Sequence, residues 1–156
     1  MKKSYLIFVV LSLMIVLFAM IMGGVSLFVY VDITSFLMVS LLSVFLLLIN
    51  YTPSEIVLAF KIGFKKDEID KKELQKSINL FDSLGKYLIL SGILGAITGF
   101  IAMAAYYSRD TNSLGSGDWA GGSALAIITI LYSLIFYMII AIPFKNGLKN
   151  RLIDME

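Results

Sequence analysis

Residues 87–108 read YLILSGILGAITGFIAMAAYYS, an apolar run bounded by Lys86 and Arg109 with no charged side chain inside it. A helix of about 20 apolar residues spans the hydrocarbon core of a bilayer, so this stretch predicts a transmembrane helix. The rest of the chain repeats the pattern. Residues 4–31, 33–54 and 119–144 also lack Asp, Glu, Lys, Arg and His. Together these runs predict four spans, at 5–24, 35–51, 87–107 and 121–143. Composition agrees: of 156 residues 59% are apolar and 15% charged, where soluble domains carry about 25% charged residues. Mean hydropathy is +0.91. The predicted fold class is an all-α integral membrane protein, one membrane domain over 1–156 with four transmembrane helices. Too little chain remains for a soluble enzyme, a nucleic-acid-binding domain or any sizeable extramembrane domain.

Orientation follows from the basic residues. Four spans place both termini on one side. That side holds Lys2, Lys3, Lys61, Lys65, Lys66, Lys71, Lys72, Lys76, Lys86, Lys145, Lys149 and Arg151, against Arg109 alone on the other. The positive-inside rule makes the basic side, and so both termini, cytoplasmic. A lysine pair before an apolar stretch also describes a secretory signal peptide. Residues 5–22 exceed the ~7–15 residues of a signal core and end in Met22-Gly23-Gly24 rather than small-x-small, so the segment is read as a retained helix.

The connections divide by side. Outer residues 25–34 and 108–120 are short; the second is polar and turn-forming, with Trp119 as an interfacial anchor. The inner connection, 52–86, is helical. Thr52-Pro53-Ser54-Glu55 forms a capping box with proline at the first helical position. Ile56, Val57, Phe60 and Phe64 give the helix an apolar face that continues the span or lies at the headgroups. The mixed-charge run containing Lys65, Lys66, Lys71, Lys72 and Glu73 reads as a solvated helix face or, more sharply, as a docking surface for a cytoplasmic partner.

Inside the spans the informative feature is an absence. An ionisable group in mid-membrane marks proton relays and coupling-ion sites, and none lies in the middle of a span; Asp32 sits at an outer end. The chain alone therefore lacks a group to take up and release a proton. What the spans carry instead is small and hydroxyl residues at helical spacing. Ser91, Gly95, Gly99, Ala102 and Met103 form a stripe on the third span, with Gly92 and Thr98 beside it. Gly122, Ala126, Thr129, Ser133 and Tyr137 form another on the fourth. Gly95-x-x-x-Gly99 has the spacing that lets helix backbones approach closely, so the two stripes are expected to pack together. Ser40 and Ser43 are expected to bond back to their own helix. With no Cys and no His, thiolate or imidazole chemistry and Cys/His metal sites are excluded. Serine and threonine have no base in the spans, and Asp110 and Asp118 share a solvated turn, so no enzyme activity, metal or cofactor is expected.

The chain resembles the MotA/TolQ/ExbB family, most of all the MotA/PomA-type stator subunits with a shortened cytoplasmic region. Asp32-Ile33-Thr34-Ser35 leading into a span, with Pro53 beyond it, looks like the family's second helix. Gly92-Ile93-Leu94-Gly95-Ala96-Ile97-Thr98-Gly99 is similar to its Gly-x-x-Gly-Thr-x-x-Gly. Ala126-Ile127-Ile128-Thr129-Ile130-Leu131-Tyr132-Ser133, followed by Pro143, looks like its Ala-Leu-x-Thr-Thr-x-Tyr-Gly. The family's third-helix threonine is Ala96 here, one of its fourth-helix threonines is Ile130, and its glycine there is Ser133. The resemblance implies a multi-pass protein of the bacterial inner membrane and an ion-driven (proton or sodium) stator-type motor. In it a homo-oligomer, a pentamer, surrounds a dimer of MotB/ExbD-like single-span partners whose aspartate carries the ion. The ion pathway and partner interface would then involve Gly95, Thr98, Gly99, Ala126, Thr129, Tyr132 and Ser133. The altered threonines motivate a second reading, a non-conducting membrane scaffold.

Overall fold

The computed structural model describes residues 3–64, 69–109 and 116–155, with side chains over 7–64, 69–105 and 121–155. The chain runs through α1 (Lys3–Met22), a 3-10 turn (Leu27–Tyr30), α2 (Ile33–Asn50) and α3 (Pro53–Phe64). It continues through α4 (Lys71–Arg109), α5 (Ser116–Phe136), a π turn (Tyr137–Ala141) and α6 (Ile142–Ile153). Three helical stretches among the described residues, Leu27–Asn50, Lys71–Ala105 and Gly121–Ile153, are long and apolar enough to cross a membrane. Ile7–Met22 forms a shorter apolar helix.

Local chemistry sets the helix ends. Gly24 takes φ +69° just past α1, the left-handed conformation that glycine adopts most cheaply. Asp32 caps α2, its Oδ2 accepting from the Ser35 N–H at 2.8 Å. The capping box opens α3 as expected. The Thr52 N–H donates to Glu55 Oε2 at 2.8 Å, and the Glu55 N–H to Thr52 Oγ1 at 3.4 Å. Glu55 also pairs with Lys76 at 2.5 Å, and that hydrogen bond holds its carboxyl below the ordinary carboxylate range.

α4 is the spine. At 39 residues and about 1.5 Å rise per residue, it joins the expected third span to the segment before it without a break. α5, α2, α6 and α3 all pack on it. Part of the apolar face of α3 packs inside the protein, while Val57 and Phe64 are exposed. Phe60 packs edge-on to Phe81 at 5.1 Å and to Phe144 at 5.3 Å, while Phe81 and Phe144 stack at 4.8 Å. Phe81 is fully buried, as are Leu74, Leu80 and Leu148 around it. Gly63 lets Phe144 in, since a Cβ there would sit 2.3 Å from the ring. Arg151 Nη1 closes the cluster by donating to the Ile62 carbonyl at 2.8 Å. The segment before the third span is thus one wall of an aromatic core shared with α6.

The helices run past two of the expected span ends. The helix that carries the expected fourth span continues past Pro143 by way of the π turn and α6, with Pro143 in the first turn of α6. Proline has no N–H and its ring crowds the carbonyl four residues back, here that of Ile139. The wider π turn immediately upstream accommodates both. At the other end, α4 reaches Arg109 and α5 begins at Ser116, both inside the expected outer connection 108–120.

Candidate functional site

The two small-residue stripes meet, and the glycines set the distance. A Cβ on Gly99 would stand 3.2 Å from Ala126 Cβ, one on Gly95 2.5 Å from Thr129 Cγ2, and one on Gly92 2.2 Å from Ser133 Oγ. On the flanks, Gly85 lies under the Tyr137 ring and Gly122 under the Met103 sulfur, at 2.7 and 2.5 Å by the same measure. α4 and α5 therefore run antiparallel with glycine opposite a larger residue at each step. Lipid tails are as apolar as the side chains they would meet, so close packing of this kind is what holds membrane helices together.

Hydroxyls line the seam and bond to α2 or back to their own helices. Ser35 Oγ on α2 and Thr129 Oγ1 on α5 lie 2.8 Å apart, with Thr129 also 3.4 Å from the Leu125 carbonyl. Thr98 donates to the Gly95 carbonyl at 2.9 Å and Ser133 to the Ile130 carbonyl at 2.8 Å. Ser43 departs from expectation: rather than bonding back to α2, its Oγ meets Ser91 Oγ on α4 at 3.0 Å. Two buried hydroxyl pairs thus tie α2 to its neighbours, one to α4 and one to α5.

Between α2, α4 and α5 lies an open groove of about 540 Å³. Gly95, Thr98, Gly99, Ala126 and Thr129 all line it, joined by Asp32, Ser35 and Met38 from α2 and its cap. Among the lining residues Asp32 is the charged one, and its carboxylate is occupied at the helix cap. Tyr132 and Ser133 lie outside the groove. Ser133 is buried against Gly92.

Tyr132 acts as a latch. Its hydroxyl donates to the Tyr30 carbonyl at 2.9 Å and accepts from the Asp32 N–H at 3.2 Å. Its ring meets Phe36 edge-on at 6.2 Å. One side chain from α5 thus fixes the 3-10 turn and the start of α2. Tyr132→Phe keeps the ring and strands the Asp32 N–H, so a loss of about 1 kcal/mol is expected, read as a lowered unfolding midpoint. An unchanged midpoint would remove the latch.

The groove's α2 wall was not assigned from the sequence. Asp32 and Ser35 appear there within the family's second-helix pattern, but nothing in the spacing says that Ser35 turns toward Thr129. Of the expected docking residues, Lys71, Lys72 and Glu73 start α4, and Lys72 and Glu73 border an open pocket of about 400 Å³ with Glu55 and Lys76. Lys65 and Lys66 lie outside the described residues, as do Asp110 and the side chains of Asp118 and Trp119.

The model of the MotA/TolQ/ExbB proton channel family matches residues 62–156. The chain belongs to that family. No individual curated protein matches it. The matched region holds α4, α5, the π turn and α6, and therefore the glycine seam, Thr98 and Thr129. The α2 wall of the groove lies before it. Family membership and the long apolar helices make the chain a multi-pass membrane protein.

Proposed function

We propose that this MotA/TolQ/ExbB-family chain is a ring-forming subunit of an ion-driven membrane motor. Four helices would cross the bacterial inner membrane with both termini cytoplasmic, α1 being the first. A homopentamer would surround a dimer of single-span partners, and a partner aspartate would carry the proton or sodium ion. One observation carries this reading: the groove between α2, α4 and α5 is lined by hydroxyls, small residues and the apolar Met38, Met103 and Leu125, and the one carboxylate among its described residues caps a helix. Such a surface can hydrogen-bond a carboxylate or a hydrated ion, but it has no acid of its own to titrate within the hydrocarbon layer. The acid has to arrive on another chain.

The hydrogen bonds also favour a second reading. Thr98, Thr129 and Ser133 each already have a partner within the chain. A non-conducting scaffold needs nothing more of them than this internal packing. Assembly tests the first reading. The chain co-expressed with a single-span, aspartate-bearing protein is expected to purify with it as a complex whose native mass fits five copies to two. A monomer that retains no such partner would overturn the proposal.

A further inference from the structure

We propose that the pocket between α4 and the π turn–α6 junction binds the phosphate headgroup of an anionic phospholipid. The inference depends on the chain's placement in a bilayer, not on a ring, a partner or ion flow.

The pocket has a volume of about 370 Å³. Its floor is apolar, formed by Phe81, Ile89, Tyr137 and Ala141, and it is hollowed where Gly85 has no side chain. A Cβ at Gly85 would fall 2.7 Å from the Tyr137 ring. Its rim is polar and carries Asp82, Lys86, Lys145 and Asn146. Lys86 is the last charged residue before the charge-free run 87–108, and Lys145 the first after the charge-free run 119–144. Two neighbouring helices therefore leave the hydrocarbon at this one level, which is where lipid phosphates lie. Basic pockets between helices at this depth are the usual receptors of anionic headgroups.

The charges are also pre-assembled. Lys86 Nζ lies 2.8 Å from Asp82 Oδ2, and Lys145 bonds the other carboxylate oxygen. One carboxylate thus holds two ammonium groups side by side and leaves the trio one net positive charge. Each ammonium has three donors and spends one on Asp82, so two from each lysine remain. Lys86 is 71% exposed and Lys145 38%, so both can reach a ligand. The apolar floor suits the glycerol and upper acyl carbons below a phosphate and gives nothing to a free inorganic ion.

The test uses the full-length chain in detergent micelles, with native mass spectrometry counting bound lipid during titration with phosphatidylglycerol or phosphatidylcholine of identical acyl chains. The structure predicts tighter retention of phosphatidylglycerol. Lys86→Ala should weaken it about fivefold, the effect of one lysine at an anionic lipid surface. Lys61→Ala, which removes an exposed positive charge elsewhere, should leave it unchanged. Lys145→Ala should repeat the Lys86→Ala loss. Equal retention of the two lipids, an equal loss in Lys61→Ala, or wild-type retention in both Lys86→Ala and Lys145→Ala would each overturn the proposal. Displacement by inorganic phosphate would also overturn it, identifying the ligand as the free ion. So would disulfide cross-linking of Lys86→Cys chains to each other, possible in an otherwise cysteine-free protein, because it would place a second copy over the pocket.

Discussion

Gly92→Ala is expected to destabilise the protein by about 1–3 kcal/mol, the usual cost of forcing an extra methyl group into a filled core. The added Cβ would lie 2.2 Å from Ser133 Oγ and 2.4 Å from Ser133 Cβ. A turn of the serine side chain can move the first contact but not the second. Ser133 is 2% exposed, so its backbone has little room to retreat. α4 and α5 must therefore separate, and separation loosens Gly95 from Thr129 and Gly99 from Ala126 as well. The compensating pair Gly92→Ala/Ser133→Gly moves the methyl group to the other helix and should recover most of the loss. Gly121→Ala, with no described atom within 4 Å of its would-be Cβ, serves as the control. Thermal unfolding followed by circular dichroism reads all three. A Gly92→Ala protein as stable as the wild type would contradict the described seam.

Thr129→Val is expected to lower ion flux through the assembled complex about tenfold, while Thr129→Ser keeps it near wild type. Valine matches threonine in shape, so the α4–α5 seam should survive the exchange. What disappears is the hydroxyl 2.8 Å from Ser35 Oγ in the middle of the groove. A hydrogen bond to a charged group contributes about 1.5–3 kcal/mol, and the lower figure corresponds to about a factor of ten in rate. Flux in proteoliposomes, measured with a pH-sensitive or sodium-sensitive dye, decides the matter. A scaffold gives no flux in any of the three proteins. Wild-type flux in Thr129→Val would remove the hydroxyl from the pathway.

These expectations draw on parts of the chain that were unequally legible from sequence. Charge-free runs over about 20 residues expose apolar helices directly, because a bilayer tolerates few alternatives. Helical spacing likewise shows which residues share a face, and the stripes of Gly95 and Thr129 do meet. Spacing cannot show what lies opposite a face. Ser43 looked like a residue bonding to its own helix, and only the packing of α2 on α4 places Ser91 within reach. Ser35 was missed in the same way. The packing of Phe60 on Phe81 and Phe144 is likewise invisible in the sequence, because those partners sit in distant segments. Pro143 is a strong stop signal in isolation, yet a π turn lets the helix continue, and the residues Tyr137–Ala141 carry no local mark of one. Tyr132 shows the same limit: it fits a motif in sequence, but in the fold it lies outside the groove and spends its hydroxyl on Tyr30 and Asp32.

On the proposed function this chain supplies the wall of an ion path and another chain supplies the acid. The most direct test is flux in proteoliposomes holding the chain alone, the chain with a single-span partner, and the chain with that partner's membrane aspartate changed to asparagine. Flux is expected only in the second preparation. Flux from the chain alone, or undiminished flux with the asparagine partner, would contradict it.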